Sequence, residues 1–205
     1  MIFISTLFSD PVLFTMIALA VIPAICLHEY FHAQVALWCG DPTAAMQGHL
    51  TLNPLKQMGL LSVIMFLMIG IAWGGVPVNP LNLTKRGRVL TALAGPLMNF
   101  ILFLLAILTY PLLVIYTNVP TLLVSYIFTV GVYNLILCIF NLLPVPGLDG
   151  WNILSQFVKI QKTSSEIFKG AMVLLIFGML MLFPYIAKFA GQVMELPMFI
   201  LGGGK

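Results

Sequence analysis

From Pro11 to Trp38 the chain runs for 28 residues with a single formally charged side chain, Glu29. That exceeds the ~20 residues a helix needs to cross a bilayer core. The run is also too long for the apolar core of a secretory signal peptide, and no basic residue precedes it. It therefore reads as retained structure. Further apolar runs follow at 58–73, 89–116, 121–143 and 170–187, the last trailing into a weaker apolar tail to Leu201. Only 7% of residues are charged and 61% are hydrophobic, against ~25% charged in an ordinary soluble domain. So few charges cannot coat a soluble surface. The expected class is an all-α polytopic membrane protein, a bundle of about four to five transmembrane segments. We expect one membrane-embedded domain over 1–205, with a core at about 11–155 and a C-terminal helix at about 166–190.

The net charge of +3 gives no support for a nucleic-acid partner. Cys26, Cys39 and Cys138 are odd in number and scattered, so no disulfide framework is implied. Lys and Arg bear on topology. Lys85, Arg86 and Arg88 precede the third run, and Lys159, Lys162 and Lys169 separate the fourth from the fifth. The positive-inside rule places both basic loops in the cytoplasm. If the first run ends on that side, the 16 residues of 58–73 must enter and leave on one side, or cross as a short tilted helix. As a helix they would reach only ~24 Å, short of a ~30 Å core. Ahead of them, Gln47-Gly48-His49-Leu50-Thr51-Leu52-Asn53-Pro54 alternates polar with apolar residues and reads as a short strand. A membrane-associated β hairpin or re-entrant element is therefore expected here, with 50–53 able to pair edge to edge with a substrate.

The first run contains His28-Glu29-Tyr30-Phe31-His32. Histidines at i and i+4 share a helix face, so both rings can hold one metal ion while Glu29 serves an adjacent water. Ionisable groups inside an apolar span are functional by default. Zn²⁺ with two imidazoles needs a third protein ligand and an open position. Among the remaining acidic residues Asp149 stands out, because Pro144 and Pro146 break the end of the fourth run and let a carboxylate turn back into the bundle. His49 is the competing ligand. Pro23, five residues before His28, is expected either to kink the first helix or to be an ordinary membrane-helix proline.

Four stretches together carry a family resemblance. They are the His28–His32 motif; Gly48-His49-Leu50-Thr51-Leu52-Asn53-Pro54-Leu55; Ala94-Gly95-Pro96-Leu97-Met98-Asn99; and Asn141-Leu142-Leu143-Pro144 through Leu148-Asp149-Gly150. In this order they resemble the site-2 protease family of intramembrane zinc metalloproteases, in a small prokaryotic form without a PDZ or CBS domain. The resemblance implies one Zn²⁺ per chain on His28, His32 and Asp149. It implies catalytic roles for Glu29 and for Asn141, the latter holding the substrate backbone or the oxyanion. It gives Gly95 and Pro96 a close-packing role and Asn99 a structural one. It further implies a multi-pass protein of the cell membrane, either inner or plasma. Such a protein cleaves transmembrane proteins or peptides within the lipid bilayer, in regulated proteolysis or in clearance of signal-peptide remnants. Two other readings remain: a CAAX-type membrane metalloprotease using a later glutamate, Glu166 or Glu195, and a metal transporter. Oligomeric state is not legible.

Overall fold

The computed structural model describes residues 3–116, 118–158 and 165–201. A short helix α1 (Ile4–Ser9) stops at Asp10, whose carboxylate accepts from Leu13 N at 2.9 Å and caps α2 (Pro11–Trp38). Proline at the first position of α2 loses only an amide that would lack a partner anyway. The helix runs unbroken through Pro23. Proline cannot bond the carbonyl one turn back, at Leu19, and the Tyr126 hydroxyl donates to that oxygen at 3.3 Å instead.

Between α2 and the next long helix lies an excursion of short pieces: α3 (Thr43–Met46), α4 (Pro54–Gln57), α5 (Gly59–Ile69) and a 3-10 turn at Pro80–Asn82. Then come α6 (Lys85–Tyr116), α7 (Thr121–Leu142), α8 (Asp149–Leu154) and α9 (Ser165–Ile200). Helix α6 is the hub and packs most extensively against α7 and α2. Among the described residues three helices are long and apolar enough to cross a membrane: α2, α6 and α7. The expected run 170–187 falls on α9, most of whose side chains there lie outside the described residues. Farther along, Ala190 and Met194 of α9 bury against Phe103, Ala106, Leu135 and Ile136.

The excursion leaves and rejoins the bundle at one end. Met58, just ahead of α5, and Phe66 on it pack against Ile17, Val21, Ile25 and Cys26 of α2. It ends at Gly70, whose φ of +80° forms a left-handed cap against Phe3. The chain then returns without helix from Ile71 to Asn79. Four hydrogen bonds, at Trp73, Gly75 and Asn79, fix this return. The Ser62 hydroxyl donates to Trp73 O (2.6 Å) and accepts from Trp73 N (2.9 Å). Gly75 N donates to Gln57 O at 3.0 Å, and Asn79 N donates to the Asp41 carboxylate at 2.7 Å. With 11 residues, α5 rises only ~16 Å, and after Gly70 the chain runs back alongside it to reach Gln57.

The expected strand at 50–53 is absent, and no strand occurs among the described residues. The Gln57 amide donates to the carbonyls of His49 and Thr51, and the Asn53 side chain caps α4 by accepting from Leu55 N at 2.9 Å. The polar positions of the alternation are therefore helix-cap and turn chemistry. Their carbonyls are spent within the loop and are not offered to a ladder.

Asp41 anchors the whole excursion. It is fully buried and accepts from Thr43 N, Thr43 Oγ1, Asn79 N and Asn82 Nδ2. Burial would raise its carboxyl, but these four donors outweigh that and hold it below the ordinary value. Its contribution is therefore complete above the ordinary carboxylate value of ~3.9 and is lost as acid titrates the folded-state group below that. Asp41→Ala strands several buried donors, each costing ~1–3 kcal/mol. Limited proteolysis should then cut 71–79 faster in the variant than in the wild type while the long helices stay intact; equal protection would show that Asp41 does not hold this segment.

Candidate metal and catalytic site

His28 and His32 lie one turn apart on α2, both buried, with ring centroids 4.6 Å apart and planes near perpendicular. Their Nε2 atoms stand 3.0 Å from each other. The Asp149 carboxylate Oδ2 completes a triangle, 3.1 Å from His28 Nε2 and 3.2 Å from His32 Nε2. Among the described residues this is the one group of histidine, cysteine and carboxylate atoms close enough to share a metal ion.

Neighbouring backbone brings these side chains together. Asp149 opens α8 after the Pro144–Pro146 break, and Gly147 turns the chain at φ +95°. Gly150 lies so close to the Leu142 and Leu143 carbonyls that a Cβ would stand 2.5 Å from Leu143 O. On α6, Gly95 presents a bare Cα to the rings. A Cβ there would lie 2.5 Å from His28 Nε2 and would also strike His32 Nε2.

The outer nitrogens of both rings are engaged. His32 Nδ1 lies 2.6 Å from the Thr91 carbonyl, which can only accept. His28 Nδ1 lies 2.6 Å from Asn99 Oδ1. Each ring, when neutral, therefore carries its proton on Nδ1 and points an Nε2 lone pair inward. Two such lone pairs and a carboxylate oxygen within 3.0–3.2 Å repel one another unless a cation, either a proton or a metal ion, sits among them. Two imidazoles and one carboxylate form a donor set that zinc accepts. The residues fit the metal that the motif implies. Burial would raise the Asp149 carboxyl, but where the cation among these atoms is a proton on the rings, the hydrogen bonds from His28 and His32 outweigh burial and hold the group below the ordinary carboxylate value.

The cluster opens into a cavity of about 490 Å³. One wall is the returning segment, from Ala72 to Val78; the other comes from Leu137 and Asn141 of α7 and from Asp149 and Asn152 of α8. Glu29 lines it, 8% exposed. Gly74 lies against that carboxylate so closely that a Cβ would be 2.5 Å from Glu29 Oε1. Asn141 lines the same cavity, its Nδ2 donating to Leu137 O at 3.0 Å, which leaves a second amide hydrogen. The Thr91 hydroxyl, buried and without a partner among the described residues, also borders it.

The structure thus gathers His28, Glu29, His32, Asn141 and Asp149 around one space. His49 is not among the cavity-lining residues, and its ring Nδ1 is buried without a partner among the described residues. Glu195 is an exposed residue of α9, also outside the cavity lining, and the Glu166 side chain lies outside the described residues. Sequence reasoning missed Gly74, Asp41, Thr91 and Asn134; it gave Asn99 a structural role, and the structure places that residue's amide oxygen on His28 Nδ1 and the residue in the cavity lining. Two fully polar asparagines in apolar helices were the available signal.

Among known proteins, those similar to this chain are named as zinc metalloproteases. The model of Peptidase family M50 matches residues 111–184. A Bacillus subtilis protein named "Putative zinc metalloprotease YwhC" is 35% identical over 153 residues, 69% of this chain and 68% of that protein. Proteins named "Putative zinc metalloprotease Rip2" are similar as well. The Mycobacterium tuberculosis protein is 31% identical over 153 residues, 71% of this chain and 58% of its own length. The Mycolicibacterium smegmatis protein is 35% identical over 139 residues, 64% and 52% respectively. The chain therefore spans little more than half of the Rip2 relatives. No solved structure matches it significantly. On the breadth of the Bacillus match, and with the family model falling across the segment that carries Asn141 and Asp149, the chain belongs to peptidase family M50, the site-2 proteases.

Proposed function

We propose that this metalloprotease is an intramembrane endopeptidase that hydrolyses peptide bonds in or near transmembrane segments of other proteins in the cell membrane. His28, His32 and Asp149 would hold one zinc ion per chain. The observation that carries this reading is the convergence of three acceptor atoms within 3.0–3.2 Å, two from α2, which is long enough to span a bilayer, and one from the short α8. Bound there, zinc would supply Lewis acidity toward a peptide carbonyl and acidify a water molecule.

This chain's own residues do the rest. Glu29 accepts the proton of the attacking water on its carboxylate and returns it to the leaving amine nitrogen. Gly74 presses backbone over Glu29 and limits the positions its carboxylate can take. The second amide hydrogen of Asn141 is free to meet the carbonyl oxygen as charge develops on it. Substrate has to reach this cavity locally extended, because a helix keeps its peptide groups bonded internally.

The test is Asp149→Ala, with zinc counted in the purified protein and cleavage of a membrane-anchored peptide followed in proteoliposomes. Zinc should fall from one per chain toward zero, and cleavage should fall with it. An alanine variant that still holds one zinc per chain would remove Asp149 from the ligand set.

A further inference from the structure

A chain of side-chain hydrogen bonds crosses three helices and ends on a histidine of the site. It begins at the Val130 carbonyl of α7, which accepts from Asn134 Nδ2 at 2.9 Å. With its nitrogen turned that way, Asn134 presents Oδ1 to α6, where it accepts from Asn99 Nδ2 at 3.0 Å. Asn99 Nδ2 also faces the Ala24 carbonyl of α2 at 3.5 Å. Asn99 Oδ1 is left to meet His28 Nδ1 at 2.6 Å. Backbone carbonyls, which only accept, anchor both amides, so the direction of every bond follows. Asn99 and Asn134 are 0% and 1% exposed, so water offers neither a substitute partner.

We propose that Asn134 is a positioning residue: acting through Asn99, it locks His28 in the Nδ1–H tautomer and keeps Nε2 open for the metal. Without Asn134, the Asn99 amide loses its closer acceptor and can turn over. Its NH₂ group would then face His28 Nδ1, the ring proton would move to Nε2, and the site would present a donor where the metal needs a lone pair. Removing the direct partner of a metal ligand, here Asn99, changes affinity by about 10–100-fold, and turning Asn99 over through Asn134 forfeits that same contact. His32 has a backbone carbonyl as its corresponding partner, so His28 is the ring whose tautomer depends on side chains.

This inference rests on the metal reading above, and its test separates the two. The full chain is purified in detergent as wild type, Asn134→Leu, Asn134→Ser and Asn99→Leu, and as the Asn134→Leu/Asn99→Leu double variant. In metal-free protein at alkaline pH, nitrogen-15 NMR of the three histidines reports which ring nitrogen carries each proton. Zinc affinity is measured separately by chelator competition. Wild-type His28 should be Nδ1–H; each Asn134 variant should gain Nε2–H character at His28 alone and bind zinc about 10–100-fold more weakly. The double variant should be no worse than Asn99→Leu, since both residues act along one path. An unchanged His28 tautomer, or an affinity within twofold of wild type in both Asn134 variants, would overturn the relay. Wild-type protein that takes up no zinc would overturn the metal reading, while the tautomer measurement still decides the relay.

Discussion

Alanine at position 95 should empty the metal site without altering a ligand. Its Cβ would fall 2.5 Å from His28 Nε2 and against His32 Nε2 as well, inside the space where the three acceptors converge. The atom on the other side of the contact is not the free end of a flexible chain. Both rings are held at Nδ1, by Asn99 and by Thr91. Either the rings turn away and lose those bonds, or α6 moves off α2. In both cases the triangle with Asp149 opens. Zinc affinity should fall by more than the ~10–100-fold of an outer-shell lesion, and proteolysis should be lost with it. Equilibrium dialysis against buffered zinc, with helicity followed by circular dichroism, checks this directly. A helical Gly95→Ala protein that binds zinc normally would mean that the two rings do not face position 95.

Glu29→Gln should do the opposite: leave the metal and remove the chemistry. Glutamine matches the carboxylate in shape and keeps the contact with Gly74, and Glu29 is not one of the three converging groups. What disappears is the ability to accept a proton from water and return it to nitrogen, worth about 10²–10⁴ in rate. Single-turnover cleavage should slow by that factor while zinc per chain and substrate affinity stay near wild type. Proteolysis at the wild-type rate would take the general-base role away from Glu29.

The two expectations differ in how legible they were. Glu29 could be named from the chain because two histidines and a glutamate are too costly to keep in an apolar run without a shared chemical task, and helix periodicity alone puts both histidines on one face. Asp149 was reachable through the prolines that end the fourth run. The extents of α2 and α7 followed from apolar length. The contribution of Gly95 was visible only as close packing, because its meaning lies in which atom faces it 63 to 67 positions earlier in the chain. The strand at 50–53 failed for a related reason. Alternation over a few residues cannot tell a ladder from a set of caps, and the deciding partner, Gln57, lies beyond the pattern. Asn134 and Asp41 matter through the partners they find on distant segments, Asn99 for the one and Asn79 and Asn82 for the other, and single-chain periodicity carries no information about those.

The stretch from Ile71 to Asn79 is tied down by rungs at Trp73, Gly75 and Asn79, and only between the first two does bare backbone meet the Glu29 carboxylate. Its length is therefore its specification. A swap of side chain at Val76 changes the cavity lining, whereas gaining or dropping one residue between Trp73 and Gly75 shifts the frame and moves Gly74 off the proton acceptor. Variation in this segment should thus be free in spelling and strict in count, and the breadth of peptides accommodated can drift without disturbing the hydrolytic machinery beneath.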